Sequence, residues 1–233
     1  MSIKYQEVLM KSQLFKGIQP ENLIHLLNCL NPIMRKYDKN DVVAAEGMRL
    51  TGIGIVLEGI LNISKTSLTG HRILLWTVGP GELFGESAAF SETNMWPASV
   101  ESQSAAEVMF IRPSSIVNQC ANTCSWHSKL QENMLGILSS KALKLTKKIE
   151  YLAIKGLRGK ICTYLYNIYL KTGTREFKLP MKKYELAEFF NTARPSLSRE
   201  MINLREEGII DFTGGKIKLI SIGRMEKIID GSE

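Results

Sequence analysis

Lys182–Leu219, KKYELAEFFNTARPSLSREMINLREEGIIDFTGGKIKL, reads as two short helices joined by a tight turn and followed by a hairpin. In the first helix Tyr184, Leu186, Ala187, Phe189 and Phe190 form an apolar stripe, while Lys182, Lys183, Glu185 and Glu188 stay outside it, as a 3.6-residue period requires. Asn191-Thr192-Ala193 breaks the pattern. Thr192 is the expected N-cap of the second helix, which starts near Arg194, and Pro195 falls in its first turn, where a backbone N–H has no intrahelical partner to lose. Leu197, Met201 and Leu204 then recur at spacings of four and three and face the first helix, which leaves Arg194, Ser198, Arg199 and Ile202 pointing away. Gly208 suits the position just past the helix end. Ile209–Phe212 and Lys216–Ile220 flank Thr213-Gly214-Gly215 as two strands around a glycine turn. The order is that of a winged helix-turn-helix.

The outward face suits duplex DNA. An arginine can donate two hydrogen bonds to O6 and N7 of a guanine, and serine hydroxyls can bond phosphates or base edges. Arg194 and Arg199 are the expected base readers. Pro195, Ser196 and Ser198 lie against the same groove, and Lys182, Lys183 and Lys216 add attraction to any sequence. The charge distribution agrees. Residues 1–125 carry ten Lys/Arg against eleven Asp/Glu, and residues 126–233 carry twenty against twelve, so the excess of +7 lies in the half with the helix-turn-helix.

At 233 residues the chain exceeds the usual single domain, and its 44% hydrophobic content is enough for real cores. Three segments are expected: a sensing domain over 1–124, a long helix over 125–153, and the DNA-binding domain over 154–233. In the first, an amphipathic helix from Pro20 to Leu30 precedes short apolar runs punctuated by glycine between Ile33 and Arg112, the pattern of a small antiparallel barrel or jelly roll. The fold class is α+β. From Ser125 to Ala153 the period changes: Leu130, Met134, Ile137 or Leu138, Ala142 with Leu145, Ile149 and Leu152 make one long stripe. A single amphipathic helix can pack on its own barrel, but a stripe this long and heptad-like favours pairing with a second copy through Leu130, Met134, Leu138, Leu145, Ile149 and Leu152. Lys155-Gly156-Leu157-Arg158-Gly159 interrupts the pattern as a hinge before a helix from Lys160 to Leu170.

Other chemistries find less support. The N-terminus MSIKYQEVLMKSQLF lacks an uninterrupted apolar core and no run approaches the roughly 18 residues of a membrane span, so a cytoplasmic protein with no membrane partner is expected. Cys29, Cys120, Cys124 and Cys162 are too scattered for a disulfide framework; Cys120 and Cys124 would share a helix face, where either a redox pair or simple burial is consistent. His127 follows Cys124 by three residues without a second ligand pair, so no metal is expected. Glu82 and Glu86 lie four apart with no histidine, lysine or metal set converging on them, so no catalytic residues, no cofactor and no enzyme are expected.

The chain resembles the Crp/Fnr family of bacterial transcription regulators over nearly its whole length. The resemblance rests on Glu46-Gly47, Leu57-Glu58-Gly59, Gly70 and GPGELFGE (Gly79–Glu86) in the roll, and on RPSLSRE (Arg194–Glu200) in the second helix of the motif. It implies a homodimer whose β-roll senses a small effector, whose central helices pair, and whose recognition helices read a near-palindromic promoter site, with RNA polymerase as the partner of an activator. It places an effector pocket at Gly85, Glu86, Ser87, Trp96, Pro97, Ala98 and Ser99. Two departures stand out. Glu86 matches the ribose-binding glutamate of cyclic-nucleotide-binding members, but the family's phosphate-binding arginine has no counterpart in Met95–Ser99, and no arginine occurs between Arg72 and Arg112. A buried phosphate without a cation is costly, so an effector other than cyclic AMP is expected; Trp96 and Pro97 fit either an apolar pocket for an aromatic or lipophilic ligand or ordinary core packing. Pro195 stands where many members place a glutamate that accepts from cytosine N4, so the base preference at that step is not inherited. Iron–sulfur members cluster cysteines near the N-terminus, where this chain has Cys29 alone, and His71 is the one candidate haem ligand, no more than a solvated turn residue on its context. Two classes fit: a ligand-responsive DNA-binding dimer, or a constitutive DNA-binding regulator whose roll is a scaffold.

Overall fold

The computed structural model of the chain describes residues 5–67, 72–118 and 125–231. Gly70, His71, Cys120 and Cys124 lie outside the described residues, and with them the turn histidine and the cysteine pair raised above. The chain divides into two compact units, Met1–Ser140 and Lys141–Glu233.

Unit one opens with α1 (Gln6–Lys11), a 3-10 turn at Gln13–Phe15 and α2 (Pro20–Leu30). Then come β1 (Ile33–Tyr37), β2 (Val42–Ala44), β3 (Ile53–Glu58), β4 (Leu61–Thr66), β5 (Arg72–Val78), β6 (Leu83–Phe84), the single-turn helix α3 (Glu86–Ala89), β7 (Ser99–Ser102), β8 (Ala106–Ile111) and α4 (Pro113–Val117). The strands form two antiparallel sheets, ordered β1-β8-β3-β6 and β2-β7-β4-β5. β3, IGIVLE, is apolar almost throughout because both of its faces are covered. Ile53, Ile55 and Leu57 join the core under the helices, whereas Val56 joins the core between the sheets. β8 sorts the same way: Met109 and Ile111 on the helix side, Ala106, Val108 and Phe110 between the sheets. Gly54 lies on the inter-sheet side of β3, where a Cβ would sit 2.2 Å from the Phe84 ring, so only glycine lets that ring in. β5 is the exception: this edge strand leaves Ile73, Leu74, Leu75 and Trp76 between 41% and 57% exposed.

The helix α5 (Ser125–Ala153) runs 29 residues, about 43 Å at 1.5 Å per residue. Its first turns belong to unit one. Leu130 and Met134, 0% and 3% exposed, are buried in the core beneath the helices together with Leu14, Phe15 and Leu30. Asn133 Nδ2 donates to the carbonyls of Leu14 (2.9 Å) and Lys16 (2.8 Å), and Gln131 Nε2 to those of Ile116 (3.1 Å) and Val117 (2.7 Å). The expected pairing surface is corrected here: Leu130 and Met134 are consumed inside their own protomer, because the helical face of the roll offers apolar surface that this stretch of stripe covers. Leu138 is half-buried against the same core, whereas Leu145, Ile149 and Leu152 remain exposed, as does Leu135 at 66%; positions 135, 138, 142, 145, 149 and 152 follow one another at heptad spacing.

Unit two continues with α6 (Leu157–Thr172), β9 (Glu176–Lys178), α7 (Lys183–Phe189), α8 (Arg194–Glu206), β10 (Ile210–Thr213), β11 (Lys216–Leu219) and α9 (Ile222–Ile229). β9 makes the hairpin a three-stranded sheet, ordered β10-β11-β9. Gly156, at φ +73°, precedes α6, so the interruption falls where expected, but Gly159 is no hinge: it is buried in the first turn of α6, where a Cβ would lie 3.0 Å from Ile154. Tyr151 anchors the last turn of α5 in an aromatic group with Tyr164, Phe189 and Phe190, ring centroids 5.3 to 5.9 Å from its own.

Candidate nucleic-acid interface

α7 begins at a polar cap: the Glu185 carboxylate accepts from the backbone N–H of Lys182 at 2.6 Å, and this bond holds its pKa below the ordinary value. Leu186, Ala187 and Phe190 turn inward, whereas Tyr184, expected in the apolar stripe, is 46% exposed and bonds Glu185 through its hydroxyl. Its ring has a polar tip that is best left in water. The turn is made by Asn191, whose φ of +52° is left-handed, and the Thr192 N–H then closes onto the Ala187 carbonyl at 2.9 Å. That bond places Thr192 one residue too early to cap α8. The N-cap is Ala193, with no side-chain cap, and the helix starts at Arg194 with Pro195 in its first turn.

In α8, Leu197, Met201 and Leu204 are each 0% exposed; burying such a side chain contributes about 1.5–3 kcal/mol, which fixes the rotation of the helix. Arg194, Pro195, Ser196, Arg199 and Ile202 are exposed and Ser198 half-buried. At 100° per residue, Pro195 and Arg199 lie within about 30° of the direction opposite the buried trio and Ile202 within about 50°, whereas Arg194, exposed at the helix start, lies nearer the buried direction than the outward one.

Gly214 and Gly215, at φ +59° and +85°, form the two-residue hairpin turn that requires positive φ at both positions. Thr213 pairs with Lys216 and belongs to the strands. Phe212 carries two cations over its ring, Lys183 Nζ at 4.5 Å and Arg205 at 4.9 Å from the centroid, and so ties the wing to both helices. Lys182 and Lys216 are exposed beside it. One feature invisible in the sequence holds α8 from behind. Arg158 of α6 donates Nε to Glu200 at 2.7 Å and a fork to Glu207 (Nη1 at 2.9 Å), raising its own pKa and lowering that of Glu207. Arg224 Nη1 also donates to the Glu207 carbonyl at 2.7 Å. The burial of Cys162 beside this network pushes its thiol up to about 12.

In the roll, Gly85 (φ +81°) opens α3, and Glu86 is 3% exposed, accepting from the Ser87 hydroxyl at 3.3 Å. Trp96 and Ala98 are buried between the sheets; the Trp96 ring lies 5.8 Å from that of Phe84 and so close to Gly85 that a Cβ there would meet it at 2.7 Å. The Trp96 carbonyl accepts from Gly47 N–H (2.8 Å), and Ser99 Oγ from Glu46 N–H (3.1 Å), which joins the Glu46-Gly47 turn to this segment. Ser87 and Pro97 point to the surface. Arg72 is occupied by Glu101 (2.7 Å) and Ser64 (2.9 Å). Arg49, 46 residues from Met95 in sequence, is its partner across an isolated antiparallel bridge, and nothing in the sequence signals that neighbour.

The cyclic nucleotide-binding domain family matches residues 34–123, and the Crp-like helix-turn-helix domain family matches residues 159–228. The chain belongs to the Crp/Fnr family. It is similar to the CRP-like cAMP-activated global transcriptional regulator of Mycobacterium tuberculosis, 20% identical over 95% of this chain and 98% of that protein. It is 23% identical to the cyclic AMP receptor protein of Thermus thermophilus, over 94% of this chain and 98% of that one. The crystal structure of the Thermus thermophilus catabolite activator protein superposes with a TM-score of 0.54 at 22% identity, covering 95% of this chain and all of that one, and shares the fold. As a Crp/Fnr member the chain is a DNA-binding transcription regulator with a cyclic nucleotide-binding-like domain. Among the described residues no helix is long and apolar enough to cross a membrane.

Proposed function

We propose that the protein acts in the cytoplasm as a homodimer, its two α5 helices paired in parallel and its two α8 helices set in adjacent major grooves of a near-palindromic promoter site, about 34 Å apart. The observation that carries this is the exposed face of α5: Leu135, Leu145 and Ile149 are 62–67% exposed and Leu152 38%, at the 3-4 spacing of a heptad seam. The seam flanks favour the parallel arrangement. In that heptad frame Lys141 and Lys148 hold g positions and Thr146 and Ala153 the e positions five residues on, so a parallel pair sets each lysine against an uncharged side chain, whereas an antiparallel pair sets lysine against lysine. The apolar edge strand β5 gives the same assembly a second surface to cover.

Arg194 and Arg199 then read bases, Ser196 and Ser198 position the helix, and Lys182, Lys183 and Lys216 contact phosphates. Contact with RNA polymerase, as an activator, is the reading that family membership supports. The roll is the sensing element, with Gly85, Glu86, Trp96 and Ala98 at its centre. Its effector is proposed to differ from cyclic AMP, since Met95–Ser99 contains no arginine and Arg72 is bonded elsewhere, which leaves Arg49, opposite Met95, as the cation the fold brings to that segment. A constitutive regulator with the roll as scaffold is the second reading, favoured by one observation: the Trp96 ring itself fills the space beside Gly85. A thermal-shift screen against cyclic nucleotides and aromatic acids separates the two, because a ligand of the native state raises the melting temperature by mass action.

Sedimentation tests the dimer. Wild type is expected at twice the 26.2 kDa chain mass. Leu145→Glu with Ile149→Glu, which would bury charge in the seam at a cost of several kcal/mol, is expected at the chain mass, with affinity for a two-fold site falling about 100-fold or more. A wild-type monomer at micromolar concentration that still binds such a site tightly would refute the proposal.

A further inference from the structure

The outward stripe of α8 is not uniformly polar. Pro195, Arg199 and Ile202 follow one another at i, i+4 and i+7 and are all exposed, Ile202 at 39%. An exposed apolar ring at the N-terminal end of a groove-facing stripe has no hydrogen bond to offer a base. In the major groove the feature that an apolar side chain can read is the C5-methyl group of thymine. Pro195 also contributes no backbone N–H, so the first turn presents the ring alone at that point. Along the axis Pro195 and Arg199 are about 6 Å apart, which on B-DNA is one to two base-pair steps.

Resting on the DNA-binding reading above, we propose that Pro195 is a specificity-determining residue that selects thymine through its methyl group, one or two steps from the guanine read by Arg199. The recognition helix enters the groove by its N-terminal residues, so Pro195 is at base depth, whereas Ile202, two turns on, lies toward the groove mouth. The half-site therefore contains a T and a G whose separation is set by the helix rise.

The experiment is selection of a binding site from random duplexes by the full-length protein, followed by replacement of each thymine of the half-site by deoxyuridine, which removes the methyl and leaves base pairing intact. With wild type, one thymine per half-site is expected to weaken binding about fourfold on losing its methyl, and about 15-fold when both half-sites are changed. Pro195→Ala, which keeps the helix start but leaves a single shorter methyl, is expected to show a smaller deoxyuridine penalty than wild type. Pro195→Val is expected to restore the discrimination, and Ile202→Ala to leave it as in wild type. Equal melting temperatures of the variants exclude a folding effect. A deoxyuridine penalty absent in wild type, unchanged in Pro195→Ala, or abolished by Ile202→Ala instead would overturn the assignment while leaving sequence-specific binding intact. Failure to select any consensus would overturn the DNA-binding dimer and this assignment with it.

Discussion

Replacing Arg158 by methionine removes the fork that ties α6 to both the middle and the end of the recognition helix. Three hydrogen bonds go with it, to Glu200 and Glu207, which are 21% and 34% exposed in their side chains, Arg158 being 35% exposed. A fully exposed pair would contribute less than about 1 kcal/mol and a fully buried one about 3–5. A partly screened triad held by a bidentate guanidinium falls between, and the methionine keeps some packing, so the expected loss is about 1–2 kcal/mol. For a unit of this size, Lys141–Glu233, that lowers the melting temperature by about 5–10 °C. The sign with pH follows from Glu207, whose carboxyl Arg158 holds below its ordinary value. A group depressed in the folded state contributes stability above its unfolded pKa and loses it as pH falls through the folded pKa. The gap between wild type and Arg158→Met is therefore full at neutral pH and narrows below about pH 4.5. Circular dichroism melts from neutral pH down to pH 3.5 read both effects. Equal melting temperatures at neutral pH, or a gap that widens in acid, would show that the network does not hold α8.

Base and backbone contacts separate by kind: Arg199→Ala should cost about 1–3 kcal/mol and relax preference at one base pair, whereas Lys216→Ala should weaken all sequences alike and flatten the salt dependence by about one unit per contact. Salt titrations with selected and scrambled duplexes read both, and a changed consensus in Lys216→Ala would reverse the roles. In the roll, Gly85→Ala places a Cβ 2.7 Å from the Trp96 ring at a φ of +81°, a combined cost of about 2–4 kcal/mol. Gly47→Ala has the same sense of φ and no atom within 4 Å, so it should cost about 1–2 kcal/mol, and urea midpoints that rank the two the other way would deny Trp96 its packing role.

The helix-turn-helix and wing were legible because each side chain there answers to one partner, the core of unit two, and periodicity encodes a single partner well. β3, β4 and β5 announced themselves by apolar runs beside glycines, and β8 by the run Val108–Ile111. β9 did not: three residues, Glu176–Lys178, carry no period of their own and become a strand only because β11 offers an edge. The stripe of α5 misled over Leu130 and Met134, since one continuous apolar face serves the roll first and is left exposed later, and the sequence does not mark the change. Thr192 is a better cap than Ala193 by chemistry, but the hydrogen bond closing the Asn191 turn takes it out of position. The Arg158 network joins residues 42 and 49 apart in sequence, and Arg49 lies 46 from Met95; no local pattern reports such meetings.

The length of α5 sets a rule of phase. Leu130 and Met134 are buried in the core of unit one and Tyr151 in that of unit two, so each residue inserted into α5 between them shifts the phase of its exposed stripe by about 100° and lengthens the helix by about 1.5 Å. A single insertion would break the proposed pairing seam, while seven residues nearly restore its phase and lengthen the helix by about 10 Å. Sequence drift in this segment is thus free in side chain but quantised in number, so relatives of this chain should differ in the length of the segment by whole heptads or not at all.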